Sequence, residues 1–309
     1  MRRPFVIDCD TGTDDAIMLA AAVGCGDIDI KAVTCVNGNV PEDMVARNNL
    51  SLLEYFRCDI PVIRGAGRAI SGEVRHEDYC HGETGLGSLV IPDAATSRFA
   101  EGIASEEIYR IAKEAGGNLE ILATGPMTNL ALSIINHPDV AGMIKHLWFM
   151  GGAVYGGNMT GCAEYNIWKD PVAAHVVITS GISEITMVGL DVTGKAVMKK
   201  EDADLLRARG TKRSTAAAEL IDFMLERRRC GGEDACIHDA LAFLAAVEPS
   251  CLKFKKFAVD VEYKGAYANG FTYVDLLEET GMEKNVTVAI WVDTEAFRRH
   301  LCDAILRGD

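Results

Sequence analysis

The sequence predicts an α/β protein: a single domain over residues 1–309, built on a mainly parallel, Rossmann-like mixed sheet flanked by helices. Three observations carry this expectation. Short apolar runs of strand length alternate with amphipathic runs of helix length, the pattern of βαβ units. No Pro/Ser-rich linker and no internal repeat divides the chain. A composition of 49% hydrophobic and 25% charged residues supplies a sizeable core.

The elements follow in order. Residues 5–8 are a short apolar strand, and residues 14–23, rich in Ala, read as a helix. Residues 30–36 form a strand, 42–56 a helix and 60–64 a strand. Residues 65–96 lack clear periodicity, and a loop of that length is a lid, a binding element or a disordered segment. Beyond it, 105–115 is helical, 119–123 a strand, 127–135 a helix and 146–150 a strand. The segment 171–179 opens with Pro171, a favoured first helical residue, and precedes a strand over 185–190. The last sixty residues add β-like runs at 257–263 and 286–292 and a closing helix over 294–306.

A formal net charge of −14 and a pI near 5.0 disfavour nucleic-acid and membrane-surface partners, although most of that charge serves solubility. The N-terminal segment carries no secretory apolar region, and no stretch is apolar enough to span a bilayer. Ten cysteines show no C-x-x-C pair, and Cys9 and Cys35 sit within apolar runs, as reduced thiols do. These features predict a cytoplasmic protein.

Polar residues gather where strands end: Asp8 and Asp10, Asn37 and Asn39, Thr124, Gly151 and Gly152, and Asp191. Ligands of open α/β sheets bind beyond these carboxyl ends. Asp8, Asp10, Asp14 and Asp15 fall within eight residues, with Asp8 and Asp10 on one face of an extended strand. Four anions this close repel unless a cation lies among them, and carboxylate oxygens suit Mg²⁺ or Ca²⁺. Asp14 and Asp15 could alternatively cap a helix N-terminus, which leaves Asp8 and Asp10 unexplained. An Asp-x-Asp after a strand also opens haloacid-dehalogenase-type phosphatases, but Gly12 stands where those expect Thr or Val.

The motif Asp-x-Asp-x-Gly-x-Asp-Asp at residues 8–15 resembles the inosine–uridine-preferring nucleoside hydrolase family. The resemblance continues through Asn-Gly-Asn at 37–39, Ala-Arg-Asn-Asn at 46–49 and His-Gly-Glu-Thr-Gly-Leu-Gly at 81–87. It extends through Ala-Thr-Gly-Pro-Met-Thr-Asn-Leu-Ala at 123–131, Met-Gly-Gly at 150–152, Gly-Asn at 157–158 and Ala-Glu-Tyr-Asn-Ile at 163–167. Asp170-Pro171, Gly-Leu-Asp-Val-Thr at 189–193 and His-Asp-Ala-Leu-Ala at 238–242 complete it.

The resemblance implies Ca²⁺-dependent hydrolysis of the N-glycosidic bond of ribonucleosides, in nucleoside salvage, by a homodimer or homotetramer. Asp10, Asp15, Asp239 and the backbone carbonyl of Thr124 match the Ca²⁺ ligands. Asp10 also matches the base that deprotonates a water in the Ca²⁺ shell. Asp14, Asn39, Asn158, Glu164 and Asn166 match ribose contacts, with Met150 nearby. His81 and His238 match residues near the nucleobase, and His238 a proposed leaving-group acid. A non-catalytic Ca²⁺/ribose-binding protein is the other alternative, disfavoured because Asp10, Asp15, His238 and Asp239 occur together.

Two departures stand out. Thr11 replaces the family's usual Pro, which bears on turn rigidity. The segment 223–229, Phe-Met-Leu-Glu-Arg-Arg-Arg, lacks the tyrosines of a region that contacts the base in the family, which leaves the base preference open. Read without the family, Arg227–Arg229 is a solvated helix end, and Trp148, Trp168 and Trp291 are core packing.

Overall fold

The structure, a computed structural model, describes residues 2–72, 79–227 and 235–307. Its centre is an eight-stranded sheet. In spatial order the strands are Val62–Ile63, Ile28–Cys35, Arg3–Cys9, Leu119–Ala123, Ile144–Met150, Ile185–Val188, Val286–Val292 and Leu252–Phe257. All neighbours are parallel except the last pair, which is antiparallel. The expected fold class, a mainly parallel mixed sheet in an α/β protein, is the observed one.

Side-chain alternation divides the core. Phe5, Ile7 and Cys9 pack on one face of the sheet with the helices Thr13–Ala22, Lys212–Arg227, His238–Val247 and Thr294–Leu306. Val6 packs on the opposite face with Ala104–Ala115, Thr128–Asn136 and Pro171–Ile178. The helix Thr13–Ala22 is buried along its whole length, which explains its apolar residues on every side.

The strand Arg3–Cys9 pairs with Ile28–Cys35 on one side and Leu119–Ala123 on the other. Chain order therefore reverses direction across it, and a crevice opens beyond the carboxyl ends at such a point.

Several elements differ from expectation. The run at 257–263 is two strands, because Leu252–Phe257 joins the main sheet while Val259–Glu262 pairs with Phe271–Val274 in a separate ribbon. The strand expected to end at 190 stops at Val188, and Leu190–Thr193 is a short helix. Part of the aperiodic stretch 65–96 lies outside the described residues; its described part carries only the single turn Tyr79–His81. Among the described residues no helix is long and apolar enough to cross a membrane. Cys9, Cys25, Cys35, Cys251 and Cys302 are buried unbridged thiols, whereas Cys236 is disulfide-bonded, contrary to the expectation of reduced cysteines.

Candidate active site

A cavity of about 510 Å³ opens at the carboxyl end of the sheet. Asp14, Asn39, His81, Thr124, Met150, Asn158, Glu164, Asn166, His238 and Asp239 line it, and all ten were expected from the sequence. Asp10 and Asp15 lie fully buried behind the lining.

Helix geometry places the acids. Gly12 is the N-cap of Thr13–Ala22, and its N–H donates to Asp15 Oδ2 at 2.9 Å. Asp14 and Asp15 thus occupy the first turn, where the helix dipole favours negative charge. Asp15 Oδ1 accepts the Thr124 hydroxyl at 2.7 Å, and its Oδ2 accepts Asn39 Nδ2 at 3.2 Å. Ligand oxygens of Asp14, Asp15 and Asp239 come within 4.8 Å of one another.

Asp10 lies just past the first strand. Its Oδ2 accepts the Asn39 backbone N–H at 2.8 Å, while its Oδ1 is buried without a hydrogen-bond partner. Asp14 Oδ1 is also buried and unpartnered. Gly38 is required here, since a Cβ at that position would sit 1.8 Å from Asp10 Oδ2.

Asp8 does not join this cluster. The strand ends at Cys9, so the two-residue alternation does not carry Asp8 and Asp10 to one place. Asp8 Oδ1 instead accepts Thr34 Oγ1 at 2.6 Å and Asn129 Nδ2 at 2.8 Å. Asn129 also donates to the Cys35 carbonyl and accepts the Ala66 N–H, tying three chain segments together.

Glu164 and Asn166 act through the backbone. Glu164 caps the helix Tyr165–Lys169, accepting from Asn166 N at 2.9 Å and Ile167 N at 3.2 Å, and also accepts Gly152 N–H at 2.8 Å. Asn166 Nδ2 donates to the carbonyls of Thr124 at 2.7 Å and Met150 at 3.1 Å. Asn158 Oδ1 accepts the Tyr165 N–H at 2.9 Å. Asp191 holds the neighbouring loop by accepting from Val154 and Tyr155 N–H groups.

The histidines are fixed as well. His81 Nδ1 accepts Thr13 N–H at 3.0 Å, which makes it the neutral Nε2–H tautomer, so its 3.8 Å approach to Asp14 is not an ion pair. His238 Nδ1 lies 2.9 Å from the Thr193 hydroxyl.

Electrostatics follow from burial and like charge. Desolvation, then repulsion from Asp15, pushes Asp10 well above the carboxylate range. Buried Lys169 opposes this shift slightly. Asp15 is raised to about 7 by burial and by Asp14, and Asp239 is raised by burial, Asp14, Asp15 and Asp10. Burial raises Glu164 to about 7 against its backbone hydrogen bonds, and lowers His238 against the pull of Asp14.

A hard cation fits this donor set. Oxygens of Asp14, Asp15 and Asp239 converge, Asp10 Oδ1 and Asp14 Oδ1 are buried without a donor, and among the described residues Arg227 is the one Lys or Arg that lines the cavity. Arg227 itself corrects an expectation: it lines the cavity beside Met224, with its guanidinium 5.4 Å from the Phe223 ring centre. Arg228 and Arg229 lie outside the described residues. Cys80, Tyr165, Leu190 and Cys236 also line the cavity and were not expected. None of the three tryptophans does; Trp148 stacks on His146.

Comparison with known proteins agrees with this geometry. Residues 5–299 match the family model described as inosine-uridine preferring nucleoside hydrolase. The pyrimidine-specific ribonucleoside hydrolase RihA of Escherichia coli is 38% identical over 309 residues, covering 99% of each chain. The purine-preferring ribonucleoside hydrolase of Gardnerella vaginalis superposes with a TM-score of 0.91 at 28% identity, over 98% of each chain. A plant nucleoside hydrolase, PpNRh1, superposes with a TM-score of 0.92 at 28% identity over the full length of both. The phosphatase alternative falls with this match, and the first Asp of its motif, Asp8, is engaged by Thr34 and Asn129. The chain is a nucleoside hydrolase and belongs to the inosine-uridine preferring nucleoside hydrolase family.

Proposed function

We propose that the protein hydrolyses the N-glycosidic bond of ribonucleosides to free nucleobase and ribose, with Ca²⁺ as its cation, as one domain spanning residues 1–309. The observation that carries this is the convergence of Asp14, Asp15 and Asp239, with Asp10 buried within reach of the charges of Asp15 and Asp14, beside a nucleoside-sized cavity that also presents His81 and His238. Asp10, Asp15, Asp239 and the Thr124 carbonyl would hold the cation, with Asp14 in the same cluster. When bound, Ca²⁺ supplies charge that keeps these carboxylates ionised and lowers the pKa of water that it polarises.

The chain's own groups divide the remaining work. Asp10 takes the proton of the attacking water at Oδ1, the oxygen left without a donor. Asn39 fixes the other Asp10 oxygen through its N–H. Cleavage builds positive charge on the sugar, and the surrounding carboxylates stabilise it. Asp14, Asn39, Asn158, Glu164 and Asn166 bind the ribose hydroxyls, beside Met150. His81 borders the base, and His238 delivers a proton to it from Nε2. Burial lowers the His238 pKa, so its protonated form is a stronger acid and a less populated one.

The test is to incubate the protein with inosine, uridine, cytidine and adenosine in the presence of Ca²⁺ and assay free ribose. Ribose release is expected from at least one of them. Tight binding of all four without ribose release would contradict catalysis.

A further inference from the structure

One peptide unit in this site is held at both ends. The Gly38–Asn39 amide donates its N–H to Asp10 Oδ2 at 2.8 Å, and its carbonyl oxygen accepts the Tyr165 hydroxyl at 2.6 Å. Tyr165 is itself anchored, since its N–H bonds Asn158 Oδ1 and it opens the short helix that Glu164 caps. Asn37 N–H bonds the Ala66 carbonyl, so the loop is also tied just before this peptide. The Tyr165 ring lines the cavity, and Asp10 lies fully buried behind it. A donor on a carbonyl polarises the amide and strengthens what its N–H donates, and a buried setting enlarges the effect. The bond also restrains rotation of the peptide plane, which would swing the N–H away from Asp10.

We infer that Tyr165 is a positioning residue whose hydroxyl, acting through the Gly38–Asn39 peptide, orients the Asp10 carboxylate. The inference rests on the role proposed for Asp10. A phenylalanine at 165 keeps the ring, its packing and the backbone anchor to Asn158, and removes the hydroxyl that donates to Gly38. The loss falls on the water-activating step, not on the leaving base, so it is common to all substrates. It differs in this from loss of an acid that serves the base.

The experiment is Tyr165→Phe, alone and combined with Asp10→Asn, assayed with uridine, inosine and an activated aryl riboside. Loss of one part-buried hydrogen bond predicts a fall in kcat of about three- to tenfold, equal on all substrates, with KM unchanged within about twofold. Calorimetric titration with Ca²⁺ is expected to show binding weakened by about two- to fivefold, and the thermal midpoint without Ca²⁺ to stay within about 2 °C. In the Asp10→Asn background the second change is expected to cost less than about twofold, because the two residues act along one chain of contacts. Full additivity of the two losses, or an unchanged kcat in Tyr165→Phe, overturns the inference. A rise in KM with kcat preserved overturns it too, by assigning the hydroxyl to substrate binding. Absence of ribose release by the unaltered protein would instead defeat the proposed hydrolysis, a separate outcome.

Discussion

At the residue scale, the site works by leaving particular atoms unsatisfied. Among the described residues few buried side-chain polar atoms lack a partner, and Asp10 Oδ1 and Asp14 Oδ1 are two of them. Such atoms cost stability unless a ligand completes them. His238 sits at the other extreme, engaged by Thr193 and pushed by burial toward its neutral form. If His238 protonates the leaving base, His238→Ala lowers kcat for natural nucleosides by about 10²–10⁴-fold, with little change in KM. An activated aryl riboside needs no proton and is expected to lose less than about threefold. Steady-state kinetics on both substrates checks this, and equal losses would make His238 a binding or structural residue. Asp10→Asn is expected to impair both substrates, since both need the water.

At the scale of elements, much of the site was legible because it sits where strands meet loops. Asp10, Asn39, Thr124 and Met150 each follow or end an apolar run, and their gathering on one sheet edge needs only a parallel sheet. Asp8 stands apart from Asp10 because the strand ends at Cys9, one residue before the two-residue period would bring Asp10 onto the same face. Asn129 gave no sign of its role: a helical Asn bonds locally by default, and only the packed fold brings Asp8, Cys35 and Ala66 to it. Tyr165, Met224 and Arg227 were missed for a similar reason. Their contribution depends on how two helices lean over the cavity, which spacing along the chain does not encode. The helix Lys212–Arg227 offered one signal, Met224 and Arg227 three residues apart on one face. The strand Leu252–Phe257 carries no apolar run because four of its six residues are three lysines and the part-buried Phe254, as befits a sheet edge.

At the scale of the whole molecule, the acidic site sets the response to pH and metal. Asp15 and Glu164 are held near 7 and Asp8 near 6, each raised chiefly by burial above its ordinary value. A raised pKa means that the folded state binds these protons more tightly than the unfolded chain does. That stability is fully present below the ordinary carboxylate range and is lost as pH rises through about 6 to 7. The metal-free protein is therefore expected to melt at progressively lower temperature from about pH 5 to about pH 8. Added Ca²⁺ should raise the melting temperature most at the upper end, by mass action on the folded state, and chelation should abolish activity. Thermal melts with and without chelator check this. A midpoint indifferent to both pH and Ca²⁺, with full activity in a verified metal-free sample, would remove the carboxylates from a cation site.

The central claim is that the buried acids and amides hold a ribose diol. Relatives named pyrimidine-specific and purine-preferring share the fold, so the sugar end is the part expected to be common. Removing one hydroxyl leaves buried charged or polar groups without a partner, and sites built around a hydroxyl reject analogues that lack it by ~10⁴–10⁵-fold in kcat/KM. The direct measurement is kcat/KM for uridine against 2′-deoxyuridine, and for inosine against 2′-deoxyinosine, at saturating Ca²⁺. A ratio of at least ~10³ in favour of the ribonucleoside, for whichever base is accepted, is the predicted result. A ratio near unity for both pairs would contradict the account, even if both ribonucleosides were hydrolysed.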